Sequence, residues 1–490
     1  MKLTHLLSCL PFYQTSSAVD NIDIKSIQMD DRKVNEGSLF VCIKGFTVDG
    51  HDYAKKAVNN GAVAVIAEKD LPLSVPVIVI SDTTRVLAML ASKFYNHPTH
   101  TLPLIGITGT NGKTTITYLL ETIFEKHKKK TGLIGTIQMK IGEEVYPINN
   151  TTPDSLELQS DFKKMVDAGV EQAIMEVSSH ALDQGRVFGC DYDIAIFTNL
   201  SQDHLDYHEN MDDYLRAKSL LFSQLGNTYG SKDKFAVINE DEKASKLLKK
   251  STAQHLITYG INRHSDVMAS SINLGITQTD FILNTPEGNV SISSKLIGKF
   301  NVYNMLAATA AALASNVPLD TIKVALESVS GIKGRFEPVL AKQHYAVIVD
   351  YAHTPDSLDN VLETIKGFAK QKIYVVVGCG GDRDQTKRPL MAQIAAKYAD
   401  QAIFTSDNPR TEDPDKIVSD MIAGLNENVH NYKIIMDRSK AITDAINMAE
   451  KDDVILIAGK GHETYQQIGH TKYDFDDYKV AEEAIRNKGR

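Results

Sequence analysis

The stretch Leu104-Ile-Gly-Ile-Thr-Gly-Thr-Asn-Gly-Lys-Thr-Thr115 sets the centre of the fold. An apolar, strand-like run leads into a glycine-rich turn, and a lysine and two threonines then open a helix. Backbone N–H groups of such a turn and of the helix N-terminus bind phosphate. The lysine adds a positive charge, and a threonine hydroxyl can ligate magnesium. The stretch predicts a nucleoside triphosphate site built from Gly109, Thr110, Asn111, Gly112, Lys113, Thr114 and Thr115.

The glycine spacing of this loop departs from the standard P-loop. Ile107 stands where the standard pattern has its first glycine, and the glycines are instead Gly106, Gly109 and Gly112. A chance cluster of glycines is the alternative interpretation, but the strand–turn–helix context argues against it. The spacing favours a separate family of nucleoside triphosphatases over GTPases and common kinases.

Length and composition bound the class of protein. A chain of 490 residues should form about three domains. Its 42% hydrophobic and 23% charged residues are typical of globular proteins. The net charge of -9 and the lack of a broad basic stripe argue against general nucleic-acid binding. The one basic run, residues 126–130, falls where the helix after the glycine-rich loop should end, and cations stabilise that end of a helix.

Cysteine usage and hydropathy predict the compartment. The four cysteines form no CxxC pair, which fits a reducing cytosol and gives no zinc-site spacing; they are Cys9, Cys42, Cys190 and Cys379. The apolar stretch before Cys9 has only about six residues, whereas a signal sequence needs roughly 7–15. No run reaches the ~18 apolar residues of a membrane-spanning helix. We therefore expect a cytoplasmic protein without membrane insertion.

The first hundred residues are predicted to form a small α/β domain. Three short apolar strands are predicted, at residues 38–45, 62–67 and 75–80. A helical pattern follows near Arg85–Tyr95. Residues 96–103 contain two prolines, and we interpret them as a linker without a regular element. The first domain is therefore placed at residues 1–100.

The second domain, residues 101–333, begins with the strand before the glycine-rich loop. Further apolar strands are predicted at Ala173–Val177, Asp193–Thr198 and Phe235–Ile238, with helical stretches between them. This alternation predicts a mostly parallel sheet covered by helices. Residues 265–296 alternate instead and contain a turn at residues 286–288, which predicts a small antiparallel excursion.

The third domain, residues 334–490, repeats one arrangement four times. A buried strand runs directly into a polar loop at residues 347–353, 373–383, 402–410 and 454–463. In open α/β sheets ligands bind beyond the carboxyl ends of the strands. Four such loops side by side predict a pocket surrounded by Asp350, His353, Arg383, Asp407, Arg410 and Glu463. The predicted fold class is therefore α/β in three domains: a small N-terminal domain, a central P-loop-type sheet and a C-terminal Rossmann-like domain.

Three residues of the central domain are candidates for metal chemistry. Glu176 ends an apolar strand and is well placed for magnesium, although a solvated glutamate at a strand end is the alternative. His204 lies in a polar cluster just after a strand, where either a second metal site or a structural histidine fits the local sequence. Lys218 lies in a helical pattern, and periodicity alone indicates an ordinary helical lysine.

Four further residues are candidates for ligand binding. Asn301 and Asn304 precede an alanine-rich helix and can either hydrogen-bond a purine or cap the helix. Arg335 lies at the boundary of the second and third domains, where it can reach a γ-phosphate or form an interdomain ion pair. Arg410 ends the sequence Asp407-Asn-Pro-Arg410, in which Pro409 stiffens the loop; its planar guanidinium suits a carboxylate, and a surface turn is the alternative.

Taken together these residues resemble the Mur ligase family, the ATP-dependent amide ligases of bacterial cell-wall precursor synthesis, a process tied to cell shape and division. The motifs occur in order and cover essentially the whole chain. They are Gly109–Thr115, Asn150–Pro153, Glu176–Ala181, Thr198–His204, Gly298–Asn304, Gly334–Glu337 and Asp350–His353. Within the family, Asp407-Asn-Pro-Arg410 matches the members that add meso-diaminopimelate rather than lysine.

The resemblance implies a reaction and a set of roles. ATP would phosphorylate the D-Glu γ-carboxylate of UDP-MurNAc-L-Ala-D-Glu, and the amine of meso-diaminopimelate would attack the acyl phosphate. Lys113 and Arg335 would stabilise the transferring phosphoryl group, and Asn301, Asn304 and Asp350 would join the nucleotide site. Thr114, Glu176, His204 and Lys218 would hold or adjoin magnesium, with Lys218 carbamylated into an anion.

The same resemblance assigns the two other substrates. The N-terminal domain would bind the UDP part of the first substrate. The muramoyl dipeptide would contact Asn150, Thr151, Thr152, Ser178, Gln184 and Arg186. Diaminopimelate would be held by Arg383, Asp407, Asn408, Pro409, Arg410, Gly459 and Glu463. Arg410 would read the carboxylate that lysine lacks, and such sites discriminate by roughly 10⁴–10⁵.

One position departs from the family pattern. Related enzymes usually have Asp-Ser-Arg near the uridine site, and this chain has Asp30-Asp-Arg32. An acid at Asp31 would repel a diphosphate if its side chain pointed inward.

Three rival functions remain open at this stage. A related ligase could add another amino acid such as lysine, or extend folate with glutamate; the Asp-Asn-Pro-Arg motif argues against both. A P-loop nucleotide switch would leave the loops of the third domain without a task. We expect a monomer that uses ATP and magnesium.

Overall fold

A computed structural model describes residues 1–45, 48–148, 150–230, 232–275 and 277–488. The chain forms two compact units. Unit 1 comprises Met1–Gly106 and Lys129–Asp193, and unit 2 comprises Ile107–Lys128 and Ile194–Arg490. Across the described residues, no helix combines the length and the apolar character that crossing a bilayer requires.

The elements follow in chain order. Up to residue 108 they are α1 (Leu3–Leu7), β1 (Gln14–Thr15), β2 (Ser26–Gln28), β3 (Ser38–Val41), α2 (Ala54–Asn59), β4 (Ala62–Ala67), β5 (Val77–Val79), α3 (Thr83–Phe94) and β6 (Leu104–Thr108). Up to residue 239 they are α4 (Lys113–Lys126), β7 (Thr131–Ile134), β8 (Met139–Ile141), β9 (Glu144–Tyr146), α5 (Ser155–Asp167), β10 (Gln172–Glu176), α6 (Ser179–Asp183), β11 (Ile194–Phe197), α7 (Met211–Ser223) and β12 (Phe235–Asn239).

The remaining elements complete unit 2. Up to residue 350 they are α8 (Ser245–Lys250), β13 (His255–Gly260), β14 (Val267–Leu274), β15 (Thr279–Thr285), β16 (Gly288–Ser294), α9 (Lys299–Ala314), α10 (Leu319–Ser328), β17 (Glu337–Pro338) and β18 (Ala346–Asp350). The last are α11 (Pro355–Phe368), β19 (Ile373–Val377), α12 (Lys387–Tyr398), β20 (Gln401–Phe404), α13 (Pro414–Ile422), β21 (Tyr432–Ile434), α14 (Arg438–Met448), β22 (Val454–Ala458), β23 (Tyr465–Ile468), β24 (Thr471–Asp474) and α15 (Asp477–Lys488).

Unit 1 contains the predicted N-terminal α/β sheet. Its strand order is β1-β5-β4-β3-β2, with β1 antiparallel and the other pairs parallel. The strand β4 is apolar at every position, as expected for a parallel strand covered on both faces; one core contains Leu39 and Ile66 and the other Phe40 and Val65. Unit 1 also contains β7 and β10, which pair in parallel, and the antiparallel strands β8 and β9.

The predicted linker at residues 96–103 is partly regular, which corrects the expectation of no regular element. Pro98–His100 form a 3-10 turn. Thr99 is buried, and its hydroxyl accepts a hydrogen bond of 3.0 Å from the backbone N–H of Asp191. Proline fixes φ at a value that the first residue of such a turn also needs, so it begins the turn here instead of preventing it.

In unit 2 the strands β11, β12 and β13 are parallel, and β14 continues the parallel run. β14, β15 and β16 are antiparallel, and Thr285 pairs with Gly288 across the predicted turn. The antiparallel excursion is therefore confirmed. Helix α9 is alanine-rich and almost wholly buried, because small side chains allow it to pack closely against its neighbours.

The C-terminal sheet has the strand order β17-β18-β22-β19-β20-β21, and all pairs except β17–β18 are parallel. The four strands with polar loops are adjacent in this order, as the sequence predicts. Their carboxyl ends therefore share one edge of the sheet. Apolar clusters cover both faces, one including Val375 and Leu456 and the other Val376 and Ile457.

Candidate active site

The glycine-rich loop follows β6 and leads into α4. Gly109 has φ 147°, and a Cβ there would lie 1.7 Å from Oγ1 of Thr198. Gly112 has φ 90°, and a Cβ there would lie 2.4 Å from Oδ1 of Asn304. Both positions therefore require glycine for conformation and for space.

A second loop, residues 198–201, holds the glycine-rich loop in place. The backbone N–H groups of Thr110 and Asn111 donate to the carbonyl and to the side-chain oxygen of Asn199, each at 2.9 Å. The hydroxyl of Thr198 donates to the carbonyl of Asn111 at 2.7 Å, and the N–H of Ser201 donates to the hydroxyl of Thr110 at 3.0 Å. These bonds preorganise the loop.

A cleft of about 390 Å³ opens beside this loop. Of the residues predicted to bind nucleotide, the cleft is lined by Asn111, Gly112, Thr115, Asn304, Arg335 and Asp350. Its wall also includes Asp241, Asn262 and Tyr303, which the sequence did not single out. The carboxylate of Asp241 accepts from the hydroxyl of Tyr303 at 2.8 Å and from the three backbone N–H groups of the 261–263 turn at 2.7, 2.9 and 2.8 Å.

Asn301 lies behind Asn304 and not on the wall of the cleft. Its Nδ2 donates to the carbonyl of Ile297 at 2.8 Å, and its Oδ1 accepts from Nδ2 of Asn304 at 3.1 Å. The residue at the N-cap of α9 is Gly298, and no side chain caps the helix. The capping interpretation is therefore wrong, and Asn301 orients Asn304.

Arg335 bonds the glycine-rich segment directly. Its NH2 group donates to Oγ1 of Thr114 at 3.0 Å, and its Cζ lies 4.5 Å from the centroid of the Tyr351 ring. Its Nε is buried and has no hydrogen-bond partner among the described residues. No described carboxylate lies within ion-pair distance of Arg335, so the interpretation as an ion pair is wrong.

Asp350 supports the turn that carries Arg335. Its carboxylate accepts from the N–H of Phe336 at 2.6 Å and from the N–H of Ala352 at 2.7 Å. Burial raises the pKa of this carboxyl, as expected when the charged form is removed from water. Asp350 therefore both lines the cleft and fixes its far wall.

Two lysines converge on the carbonyl of Gly109. Nζ of Lys113 donates to the carbonyls of Gly109 and Thr110, each at 2.9 Å. Nζ of Lys218, on α7, donates to the carbonyl of Gly109 at 2.9 Å and lies 4.3 Å from the Tyr214 ring centroid. Lys218 is 1% exposed, so it is not an ordinary helical lysine. Burial, and then the charge of Lys113, lowers its pKa well below the usual value.

Asp203 collects three basic groups. Its carboxylate lies 3.2 Å from Nζ of Lys387, 3.4 Å from Nε2 of His204 and 3.6 Å from Nε2 of His353. Burial acts to raise the pKa of Asp203, but Lys387 foremost, with His204 and His353, holds the pKa well below its ordinary value. His204 has a left-handed backbone, φ 57°. The structure thus brings His353 and Lys387, which are distant in sequence, to the same carboxylate as His204.

Glu176 ends β10 in unit 1 and is 1% exposed, so the solvated interpretation is wrong. Its two carboxylate oxygens accept from the N–H and from the hydroxyl of Thr136, each at 2.8 Å. Its carbonyl accepts from the hydroxyl of Thr152 at 2.9 Å. Thr151 joins this cluster through a contact of 3.2 Å between its hydroxyl and that of Thr136.

The other residues assigned to the muramoyl dipeptide surround Thr152 in the same unit. The N–H of Ser178 donates to Oγ1 of Thr152 at 3.0 Å, and NH1 of Arg186 donates to its carbonyl at 3.3 Å. Ser178 also caps α6, and Gln184 ends that helix. Asn150 is exposed. Except for Asn150 and Gln184, this set is tied together by hydrogen bonds.

The departure at Asp31 has a structural counterpart. Its carboxylate lies 2.7 Å from Nζ of Lys56 and is largely buried, with 9% of the side chain exposed. Its neighbour Asp30 instead binds Arg32 through both carboxylate oxygens, at 2.9 and 2.8 Å. The negative charge of Asp31 is therefore balanced by a lysine.

The Asp407–Arg410 loop is not a surface turn, because Asp407 and Asn408 are buried. Nδ2 of Asn408 donates to Oε2 of Glu463 at 2.8 Å. Nζ of Lys460 donates to Oδ1 of Asn408 at 3.0 Å and to Oε2 of Glu463 at 2.9 Å. Lys460 is thus the centre of this hydrogen-bonded cluster, although the sequence indicated no role for it beyond its place in the 454–463 loop.

Arg410 is held in a left-handed conformation, φ 51°. Its N–H donates to the carbonyl of Gln467 at 3.1 Å, and its carbonyl accepts from the N–H of Gly469 at 2.6 Å. NH1 of its side chain donates to the carbonyl of Gly381 at 2.6 Å. Pro409, just before it, is buried, whereas Arg383 is exposed.

A buried arginine that the sequence did not single out, Arg438, lies close to Asp407. Oδ2 of Asp407 lies 3.9 Å from NH1 of Arg438, and Arg438 binds both carboxylate oxygens of Asp477 at 2.8 and 2.7 Å. Gly459 follows β22, and its N–H donates to the carbonyl of Asp350 at 3.0 Å. A buried arginine far along the chain carries no local sequence signal, whereas the run Gly459-Lys-Gly-His-Glu463 could have flagged Lys460.

Comparisons with known proteins identify the family of this chain. Three family models match: the Mur ligase family catalytic domain at residues 23–95, the Mur ligase middle domain at 107–312 and the Mur ligase glutamate ligase domain at 334–461. A relative from Oceanobacillus iheyensis is 62% identical over 100% of both chains. The chain belongs to the Mur ligase family.

Two relatives and one solved structure that match this chain over its full length carry the same name. The Oceanobacillus iheyensis relative is called UDP-N-acetylmuramoyl-L-alanyl-D-glutamate–2,6-diaminopimelate ligase, and so is a Bacillus cereus relative that is 56% identical over 100% of this chain and 99% of its own. A solved structure with that name is 34% identical and covers 100% of both chains with a TM-score of 0.71. The α/β three-domain architecture is therefore that of the Mur ligases.

Proposed function

We propose that this Mur ligase joins meso-diaminopimelate to the D-glutamate of UDP-MurNAc-L-Ala-D-Glu, with hydrolysis of ATP to ADP and phosphate, in peptidoglycan precursor synthesis. The observation that carries this proposal is the buried Asp407–Arg410 loop, bonded through Asn408 to Glu463 in the same unit as the P-loop cleft. A full-length relative at 62% identity bears the name of that diaminopimelate ligase.

The cleft beside the glycine-rich loop supports phosphoryl transfer. In the proposal, the triphosphate lies over Gly109–Thr115, where backbone N–H groups at the start of α4 face the anion. Lys113 and Arg335 neutralise the charge that spreads over the transferring phosphoryl group. The bond from Arg335 to Thr114 supports this role, because it holds the guanidinium against the loop. Asn304, oriented by Asn301, faces the nucleoside.

The γ-carboxylate of D-glutamate accepts the phosphoryl group and becomes an acyl phosphate. The amine of diaminopimelate then attacks the carbonyl carbon, and a tetrahedral intermediate collapses to the amide with loss of phosphate. In the proposal the muramoyl dipeptide binds Asn150, Thr151, Thr152, Ser178, Gln184 and Arg186 of unit 1. The hydrogen-bonded cluster around Thr152 supports this set, since a preorganised site loses less entropy on binding.

Magnesium fits the residues near the glycine-rich loop. Among the described residues, no three His, Cys, Asp or Glu side chains converge to hold a metal on their own. Magnesium typically uses one or two protein oxygens together with phosphates and water, which the hydroxyl of Thr114 satisfies. We assign Thr114, Glu176, His204 and Lys218 to it. When bound, the ion neutralises phosphate charge.

Lys218 is proposed to carry a carbamate. Its amine is buried and its pKa is lowered well below the usual value by burial and by Lys113, so the neutral, nucleophilic form is favoured. The amine nitrogen bonds the carbon of CO₂ and releases one proton, which converts a cation into an anion. The carbamate oxygen is then a suitable ligand for magnesium.

Diaminopimelate is proposed to lie between the loops at the carboxyl edge of the C-terminal sheet. Arg410 binds the carboxylate of the distal amino-acid centre, which lysine lacks. Asp407, Asn408 and Glu463 offer acceptors to the ammonium groups, and Gly459 and Arg383 complete the pocket. A polar group left unpaired by the wrong ligand is penalised strongly, so the pocket rejects lysine.

We propose a cytoplasmic monomer with domains at residues 1–100, 101–333 and 334–490, the first of which binds the UDP part.

The experiment that tests the function measures phosphate release by the purified chain with each substrate omitted in turn. We expect release only with ATP, UDP-MurNAc-L-Ala-D-Glu and diaminopimelate together, and a product of the corresponding mass. Release that needs no amino acid would favour a nucleotide switch, and a preference for lysine or glutamate would favour the related ligases.

A further inference from the structure

His462 lies where the two halves of the proposed reaction meet. It directly precedes Glu463 of the amino-acid pocket and follows Lys460 and Gly461. Its ring centroid is 5.0 Å from that of Tyr351, the ring on which the guanidinium of Arg335 stacks at 4.5 Å. The histidine is thus one aromatic ring away from the arginine that bonds the glycine-rich segment.

The backbone of His462 packs closely against the turn that precedes Arg335. A Cβ added at Gly334 would lie 2.0 Å from the backbone nitrogen of His462. A Cβ added at Gly461 would lie 2.6 Å from the carbonyl of Gly334 and 2.7 Å from Cβ of Tyr351. The loop after β22 therefore packs directly against the turn before Arg335. This contact fixes the backbone position from which the His462 side chain extends.

One ring nitrogen of the imidazole has no hydrogen-bond partner among the described residues. Nδ1 of His462 is buried, and no described residue hydrogen-bonds it. A buried polar atom without a partner is uncommon in a native structure and calls for an explanation. The other two histidines in this region differ, because Nδ1 of His353 contacts the carbonyl of Tyr351 at 2.8 Å and His204 lies against Asp203.

The electrostatic surroundings keep this ring neutral. Burial first, and then the charges of Arg335, Lys333, Lys460 and His353, lower the pKa of His462 to about 3. Tyr351 and the carboxylate of Glu463 are the other titratable groups that adjoin it. The same cations lower the pKa of any amine bound beside the ring, which favours the neutral, nucleophilic form of that amine.

We propose that Nδ1 of His462 accepts a hydrogen bond from the attacking amine of the incoming amino acid and takes the proton released as the amide forms. This inference rests on the proposed function. The bound ammonium first loses one proton to solvent. The amine nitrogen then bonds the acyl-phosphate carbon, and the carbonyl electrons move to oxygen.

The second proton leaves from the nitrogen of the tetrahedral intermediate. That nitrogen carries a positive charge after attack and is far more acidic than the free ammonium, so a weakly basic imidazole suffices to remove its proton. The carbonyl re-forms, the bond from carbon to the phosphate oxygen breaks, and phosphate leaves with the electron pair. The imidazolium, unfavourable among its cationic neighbours, returns the proton to phosphate or solvent.

The experiment separates the two half-reactions in the purified chain. With ATP and UDP-MurNAc-L-Ala-D-Glu, hydroxylamine traps the acyl phosphate as a hydroxamate and needs little help from a base. With diaminopimelate, the complete ligation is measured. We expect His462→Ala to form hydroxamate within about 3-fold of wild type, while ligation falls by about 10²–10³-fold. Imidazole added to the medium should restore part of the ligation in this variant only.

Two further variants keep the outcome decisive. His462→Asn retains an acceptor but cannot take a proton, so it should keep the KM for diaminopimelate near wild type and lose kcat. His470→Ala removes an exposed histidine nearby and should match wild type in both assays. Equal losses of hydroxamate and ligation in both His462 variants, or ligation within 10-fold of wild type, would overturn the proposal. A wild-type chain that forms no hydroxamate would overturn the ligase activity itself.

Discussion

Two regions of unit 2 surround their buried basic side chains in opposite ways. At the glycine-rich loop, Lys218 and Arg335 bond a carbonyl and a hydroxyl, and no described carboxylate forms an ion pair with either. In the amino-acid pocket, Lys460 binds Glu463 and Arg438 binds Asp477. A guanidinium without a paired carboxylate, that of Arg335, suits a polyanionic triphosphate, whereas balanced charge suits a zwitterionic amino acid. The difference is the one expected if the two regions bind the substrates proposed above.

The largest effect should come from Arg410, the arginine that we assign to the distal carboxylate of diaminopimelate. In the wild type we expect kcat/KM for diaminopimelate to exceed that for lysine by about 10⁴-fold, because lysine leaves Arg410 unpaired. Arg410→Ala should abolish most of this ratio, measured by amide formation with each amino acid. Arg486→Ala removes an exposed arginine of α15 and should leave the ratio unchanged. A preference retained by Arg410→Ala would show that another residue reads the distal carboxylate.

The next effect tests Lys218, a basic side chain at the glycine-rich loop that forms no ion pair with a described carboxylate. Lys218→Ala should lower kcat by about 10³-fold, since it removes both the proposed carbamate and the support of the Gly109 carbonyl. Acetate or formate in the assay should recover part of the activity, because a free carboxylate can replace the carbamate. Mass spectrometry of the intact wild-type chain should show the added CO₂ at Lys218. Lys246→Ala, at an exposed lysine of α8, is the matched control; rescue of both variants alike would contradict the role.

A third effect concerns Asp203, the buried carboxylate that pairs with Lys387. Both side chains of this pair are nearly buried, at 6% and 5% exposure. Lys387→Met should destabilise the chain by about 3–5 kcal/mol, because it leaves a buried carboxylate without its principal partner. Thermal melting at pH 7 checks this expectation. Asp203→Asn combined with Lys387→Met should recover part of the loss.

The sign of the pH dependence follows from the lowered pKa of Asp203. A carboxyl with a lowered folded pKa stabilises fully above its unfolded value of about 3.9, and that contribution is lost as pH falls through the folded pKa. In Lys387→Met the pKa of Asp203 rises, and the variant tolerates acid by protonating it. The stability gap between wild type and variant should therefore be widest near neutral pH and narrow below pH ~4. A gap that widens on acidification would rule out this pair as its origin.

The smallest effect lies in unit 1, where a half-exposed lysine balances an acid. Lys56→Ala should raise the KM for UDP-MurNAc-L-Ala-D-Glu about 3-fold, in keeping with the modest energy of an exposed ion pair. Asp31→Ser in the same chain should reverse the increase. Lys55→Ala, at the neighbouring exposed lysine, should not change the KM. An unchanged KM in Lys56→Ala would indicate that Asp31 does not face the nucleotide.

Much of the fold could be predicted because parallel strands buried on both faces are continuous apolar runs. Strand β4 and the strands of the C-terminal sheet are of this kind, and loops at their carboxyl ends share one edge by topology alone. The glycine-rich loop could be predicted because Gly109 and Gly112 adopt positive φ, a local backbone demand that glycine meets.

The parts that escaped prediction depend on partners distant in sequence. Asp203 and Lys387 lie 184 residues apart, and no local pattern connects them. Lys218 has the periodicity of an ordinary helical lysine, and its burial arises from the loop that packs over it. Asn301 differs from Asn304 only in which way its side chain points, which the sequence of a helix start does not specify. These are tertiary effects that override local preference.

The left-handed backbone of Arg410 has a consequence for how this protein can be changed. A residue with a Cβ in that conformation is strained by roughly 1–2 kcal/mol relative to glycine, and Arg410 is kept there by its bonds to Gln467 and Gly469. A search for thermostable variants would therefore be drawn to Arg410→Gly and would lose the guanidinium that we propose binds the distal carboxylate. Under that proposal, selectivity and stability compete at a single backbone position, and an enzyme stabilised without loss of its amino-acid preference has to keep that strain.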